Sequence, residues 1–172
     1  MKNHMNNWRI VTRSGLKLNI RAVTPDDDAL LADFFHHIRP EDLRFRFLSS
    51  IKEVGAEQIR RMTHIDHQAN ETYVAFSEDD GIVVAVAALA GDEAKQKAEV
   101  AISVHADHHH QGIGWEMLAL LADQAAARGL KSIESIENRN NHEAIEVERN
   151  MGFAVSSYPG DNTLVLVSKQ LR

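Results

Sequence analysis

Cysteine is absent from the 172 residues, which excludes disulfides, a thiolate nucleophile and any cysteine-based metal site. No apolar run approaches the roughly 20 residues needed to cross a bilayer. Residues 1–7 are polar where a signal peptide would carry an apolar stretch, so the expectation is a cytoplasmic protein with no membrane partner. An excess of basic charge is missing too. Nineteen Lys and Arg face 25 Asp and Glu, a formal net charge of −6; this argues against nucleic acid as a partner, whose affinity comes mostly from cations neutralising phosphates. An acidic surface favours an amine-bearing partner instead. Neither an internal repeat nor a low-complexity linker interrupts the chain, and its length suits one domain, residues 1–172, with a substantial core.

What is present is 44% apolar and 26% charged, patterned as a mixed α/β chain. Residues 8–12 and 16–23 read as short strands around the turn Arg13-Ser14-Gly15. Thr24-Pro25-Asp26-Asp27 opens a helix to about residue 37, with Thr24 as cap, Pro25 in the first turn and the acidic residues complementing the dipole. Shorter helices are predicted from about residue 40 and over roughly 55–62. Residues 71–77 and 81–90 form an antiparallel pair rich in β-branched and apolar side chains. A further strand alternates Ala98, Val100, Ile102 and Val104 with Glu99, Ala101 and Ser103. Ile113, Met117, Leu118, Leu120, Leu121 and Ala125 then recur at helical spacing up to a stop at Gly129. A strand at 131–137, a helix ending in Met151-Gly152-Phe153 and strands at 153–157 and 162–170 complete the reading.

The most informative stretch is His-His-Gln-Gly-Ile-Gly at 109–114, between the end of an apolar strand and the start of an amphipathic helix. Glycine at 112 and 114 removes β-carbons that would keep a phosphate from the backbone, and the first amides of a helix have no internal acceptor. A pyrophosphate is expected there. A Gly-x-Gly alone also occurs in ordinary turns, so its surroundings decide.

Those surroundings resemble the acyl-CoA-binding core of the GNAT acetyltransferase superfamily. Its motif, Gln/Arg-x-x-Gly-x-Gly/Ala followed by an Asn, an Ala and a closing Gly-Phe, corresponds to His109, Gly112, Gly114, Asn141, Ala144, Gly152 and Phe153. His109 departs from the usual Gln or Arg. The resemblance implies a mixed, mainly antiparallel sheet flanked by helices, with strands splayed at the acetyl-CoA site. It also implies that residues 109–115 (His109, His110, Gln111, Gly112, Ile113, Gly114 and Trp115) hold the pyrophosphate. Backbone groups of Ile102, Ser103 and Val104 would pair with the pantetheine arm, and Asn141 would cap its helix or contact CoA. Further upstream, residues 20–27, 39–47, 51–54 and 63–66 resemble the catalytic domain of bacterial Pat-type protein lysine acetyltransferases. That likeness implies a protein lysine as acceptor, such as one on an AMP-forming acyl-CoA synthetase.

Acetyl transfer to an amine requires the amine to lose a proton to a base. Glu99 is the candidate: it shares a strand face with Ala101 and Ser103, partial burial there would raise its pKa, and related enzymes place a catalytic Glu on this strand. Without the resemblance, a Glu on an amphipathic strand reads as a solvated or ion-paired residue. The family's usual thiolate-protonating Tyr, seven residues after the helix-opening Asn, is replaced by Glu148, read here as a solvent-facing helix residue. His108, His109 and His110, with His105 nearby, suggest a metal, but adjacent loop histidines point in different directions and lack ligand spacing. No metal is expected, and the loop should work through its backbone rather than its His side chains. His64 and His67 around Asp66 read as a surface loop. Rival readings are acetylation of a small amine, such as a polyamine, amino acid or antibiotic, and a non-catalytic acyl-CoA sensor.

Overall fold

The computed structural model describes residues 7–47, 54–94 and 96–171; of the segments resembling Pat enzymes, 51–53 lies outside them. The first two strands, β1 (Asn7–Val11) and β2 (Lys17–Ala22), lead through a short 3-10 turn, Pro25–Asp27, into three helices: α1 (Asp28–Phe35), α2 (Pro40–Phe47) and α3 (Ala56–Thr63). Next come β3 (Asn70–Ser77), β4 (Val83–Asp92), β5 (Lys97–Val104), α4 (Ile113–Ala127), β6 (Ser132–Asn138), α5 (His142–Asn150), β7 (Ala154–Ser157) and β8 (Leu164–Gln170). The eight strands form one sheet in the order β1-β2-β3-β4-β5-β6-β8-β7. Every neighbouring pair is antiparallel except β5 and β6, as the crossover through α4 requires. Each predicted element is found, with ends displaced by one to a few residues.

Both faces of the sheet are covered, which is why β4 reads as a continuous apolar run rather than an alternation. On one face Tyr73, Ala85, Leu89 and Val100 pack with Met117 and Leu121 of α4. On the other, Val74 and Val86 pack with Leu31, Phe34 and Phe35 of α1 and Ile59 of α3. The pleat divides Tyr73 from Val74, so one strand serves two cores.

The feature that shapes the site is where pairing stops. Strand β5 pairs with β4 along its whole length, from Lys97 opposite Asp92 to Val104 opposite Ala85. Its other edge meets β6 over three residue pairs only, the last being Glu99 with Glu134. Strand β6 remains paired to β8 as far as Asn138. The two parallel strands therefore diverge, and the expected alternation breaks at this point: Ile102 and Val104 are half-buried while Ser103 is buried.

The end of β2 is fixed to the start of α1 by a half-buried ion pair. The guanidinium of Arg21 donates to both carboxylate oxygens of Asp27, at 2.7 and 2.9 Å, and the Thr24 amide donates to Asp27 Oδ2 at 2.7 Å. Chiefly through Arg21, the Asp27 carboxyl is held below the ordinary carboxylate range. Its contribution is therefore present above the unfolded value and fades as pH falls through the lowered one. Asp27→Ala is expected to reduce unfolding free energy by about 1.5–3 kcal/mol at neutral pH. In denaturant titrations, the gap between variant and wild type should close in acid.

Candidate active site

After β5 the chain makes a 3-10 turn, Ala106–His108, in which His105 Nδ1 accepts from the Asp107 amide at 3.1 Å. His110 and Gly112 then take φ of +62° and +81°, and Gly112 is the residue from which α4 starts. A Cβ at Gly112 would lie 3.5 Å from Thr12 Cβ and 3.7 Å from the Arg13 nitrogen, both ordinary contacts. The left-handed backbone, not lack of room, calls for glycine. Ser14 Oγ donates to the Gln111 carbonyl at 2.8 Å, and the Arg13 guanidinium lies 4.5 Å from the Trp115 ring centre, so the β1–β2 turn holds the loop from outside. Among the described residues, nothing accepts from the amides of His110, Gln111 or Gly112, and the first-turn amides of α4 have no helical acceptor.

The loop closes one side of a cavity of about 580 Å³ that fills the gap between the diverging strands. Ile102, Ser103 and Val104 line it from β5, and Ser135, Ile136 and Glu137 from β6. His109, His110, Gly112, Ile113, Gly114, Trp115 and Asn141 also line it. Gln111 does not, its carbonyl being turned to Ser14 and its Oε1 lying 3.2 Å from His108 Nδ1. Asn141 caps α5, with Oδ1 accepting from the Ala144 amide at 3.4 Å, while its Nδ2 donates to Glu137 Oε2 at 3.2 Å.

Glu99 opens elsewhere. It is exposed, which corrects the expectation of a partly buried carboxylate, and it lines a second cavity of about 640 Å³ with His64, Asp66 and Glu71. Val100, Ala101 and Arg46 line both cavities, so the two meet there. Around the second cavity His67 Nδ1 lies 2.7 Å from Glu71 Oε1, and Asp66 Oδ1 accepts from the amides of Gln68 and Asn70 at 3.0 Å. This predicted surface loop is thus held by its own acidic side chains.

A further expectation is overturned. Glu148 does not face solvent: it is 4% exposed and lines the first cavity. It lies three residues after the inward-facing Ile145, a spacing that could have identified it. The loop's histidine side chains also make contacts of their own. The His109 side chain is 12% exposed, with Nδ1 2.8 Å from Glu143 Oε1 and Nε2 3.1 Å from Asp42 Oδ2. Arg39 donates to Asp42 from Nε at 2.7 Å and to Glu143 Oε2 at 3.1 Å. Two cations and two carboxylates thereby join α2, the glycine loop and α5. The other histidines diverge: His105 stacks on His37 with ring centres 5.2 Å apart. Among the described residues, no group of three or more His, Cys, Asp or Glu is arranged to hold a metal.

Pairing with Asp42 first, and with Glu143, raises the His109 pKa against the opposing effect of burial. Asp42 and Glu143 are both held low by His109 and Arg39, although burial opposes this. The imidazolium's contribution is complete below its unfolded value and is lost as pH rises through the raised one. The carboxylates' contribution is lost as pH falls through their lowered values. His109→Gln is expected to cost about 1–3 kcal/mol near pH 6 by leaving buried charge unmatched. Thermal melts from pH 5 to 9 should show the deficit against wild type shrinking toward the alkaline end.

Comparison with known proteins agrees with this geometry. The model of the Acetyltransferase (GNAT) family matches residues 32–153. An acetyltransferase of Pseudomonas aeruginosa is 24% identical over 161 residues, covering 92% of this chain and 87% of its own. Among solved structures, the GNAT domain of S. lividans PAT superposes with a TM-score of 0.88 at 22% identity, over 96% of this chain and 97% of that one. A phosphinothricin acetyltransferase from Sinorhizobium meliloti, solved in complex with AcCoA, gives 0.73 at 17% identity over 90% and 88%. The chain therefore belongs to the GNAT acetyltransferase family.

Proposed function

We propose that the protein transfers the acetyl group of acetyl-CoA directly to a primary amine, and that a protein lysine is the acceptor. The observation that carries this reading is the one-sided pairing of β5. Beyond Glu99 its edge toward β6 is unpaired, so an extended pantetheine arm can add to it as a strand would. The amides of the glycine loop and the start of α4 suit the pyrophosphate. Asn141, already capping α5, stands at the lining of the same cleft. Solved relatives from Salmonella typhimurium and Sinorhizobium meliloti are described with acetyl-CoA.

The acceptor enters from the second cavity. There Glu99, in contact with solvent, takes a proton from the ammonium or relays it through water. The neutral nitrogen attacks the thioester carbon where the cavities meet at Val100, Ala101 and Arg46. A C–N bond forms, the C–S bond breaks and CoA leaves as the thiolate, with the excess proton on nitrogen passing out through Glu99. The resemblance of residues 39–47 and 63–66 to Pat-type enzymes favours a folded protein as acceptor, because α2 and α3 border the second cavity through Arg46, Gln58, Arg61 and Met62.

Gly112→Asp should abolish acetyl-CoA binding in calorimetry, since it strains a left-handed position and adds negative charge beside the phosphates. Unchanged affinity would remove the loop from the site.

Glu99→Gln should preserve acetyl-CoA affinity and lower turnover by about 10²–10⁴-fold, the range for loss of a general base. The deficit should narrow at high pH as free amine becomes abundant; a wild-type rate at pH 7 would make Glu99 structural. The acceptor assay presents an AMP-forming acyl-CoA synthetase and, separately, spermidine and free amino acids. Mass spectrometry should find one or a few Glu99-dependent acetyl-lysines on the protein. Rapid acetylation of spermidine with none on protein would assign the enzyme to small amines.

A further inference from the structure

The acid side of the reaction is not served by Glu99, which faces the other cavity, and the first cavity holds a group suited to it. Glu148 of α5 and Glu137 of β6 are both at its lining. Glu148 is 4% exposed, and its Oε1 has no hydrogen-bond partner. The Glu137 carboxylate, in contrast, is well supplied: Ser135 Oγ donates to Oε1 at 2.6 Å and Asn141 Nδ2 to Oε2 at 3.2 Å. Burial raises the Glu137 carboxyl above the ordinary range, and these donors and the cation of Arg46, reaching in from α2, oppose that rise; Arg46 is itself influenced by Glu99 of β5. No cation acts on Glu148 to comparable effect. Arg46 is the cation that acts on Glu137 and Glu137 the charge that acts on Glu148, while Asp42, His109, Glu143 and Glu146 line the same cavity.

Two carboxyl groups lining one cleft, one of them only 4% exposed, cannot both stay ionised cheaply. Ser135 and Asn141 donate to Glu137 while Glu148 Oε1 has no partner, and this leaves the proton on Glu148. Resting on the acyltransfer reading above, we infer that Glu148 is the proton donor to the departing CoA thiolate, with Glu137 as the carboxylate that keeps it protonated. As the C–S bond breaks, its electron pair passes to sulfur. The carboxyl proton of Glu148 moves to that sulfur, giving the CoA thiol and a Glu148 carboxylate. The pair, now doubly ionised, takes back one proton from water, matching the proton released from the amine on the other side. Burial first, and the Glu137 charge next, push the Glu148 carboxyl up to about 9, so it remains a neutral acid through the physiological range.

The test uses the whole protein labelled with ¹³C at glutamate carboxyl carbons, titrated alone, with CoA and with desulfo-CoA. One carboxyl should titrate far above the ordinary glutamate range, vanish in Glu148→Gln and move down in Glu137→Gln. CoA should shift it, and desulfo-CoA, which lacks the sulfur, should not. Release of CoA from acetyl-CoA with n-butylamine should fall about 10²-fold in Glu148→Gln, with calorimetric acetyl-CoA affinity within about two-fold of wild type. The alkaline decline of the wild-type rate should disappear in that variant. A Glu148 resonance titrating in the ordinary range, or responding equally to CoA and desulfo-CoA, overturns the inference while leaving acetyl-CoA binding intact. Failure of the wild type to bind acetyl-CoA would instead remove the acetyltransferase reading.

Discussion

Everything at the site depends on a ladder that stops after three residue pairs. Backbone donors and acceptors in a buried strand must find partners, and beyond Glu99 β5 has strand partners on one edge only. The other edge opens onto a cavity bounded by β6, the glycine loop and α5. Past the divergence Ile102, which lines the cavity, is half-buried, while Ser103 is buried.

Charge near this gap is handled in two ways. At its mouth, two cations and two carboxylates neutralise one another, with Arg39 and His109 bridging Asp42 and Glu143. In its depth there are two carboxyls and one cation, and protonation rather than pairing resolves the excess. The first arrangement joins three segments and serves geometry. The second keeps an acidic proton where ordinary glutamate would have lost it, since burial penalises the ionised form.

Much of this was legible in the residues. The strand 98–104, the helix from Ile113 and the glycines between them follow from periodicity and turn chemistry, because those rules act within a few residues of sequence. The open edge of β5 came through the family likeness, since no local pattern shows where a parallel neighbour departs. The burial of His109 and of Glu148 was not legible for one reason: each is buried by a partner distant in sequence, Asp42 in the first case and Glu137 in the second. A histidine in a polar loop and a glutamate in a charged helix look solvated until those partners are placed. For Glu148 the three-residue step from Ile145 was a local sign of burial, though it says nothing of the second carboxyl. The exposure of Glu99 was equally hidden, because its alternating strand carries no record of which face is left uncovered.

Arg46 links the two halves of the chemistry. It lines both cavities, and its charge acts on Glu99 from one side and Glu137 from the other. Burial lowers its pKa, yet a guanidinium starts so high that it stays protonated. A fixed cation at that junction opposes the effect of burial on Glu137, and an ionised Glu137 is what Glu148 needs if it is to retain the proton. The buried carboxyls and the exposed Glu99 are therefore linked electrostatically by one residue from α2, the helix that the Asp42–His109 contact fastens to the glycine loop.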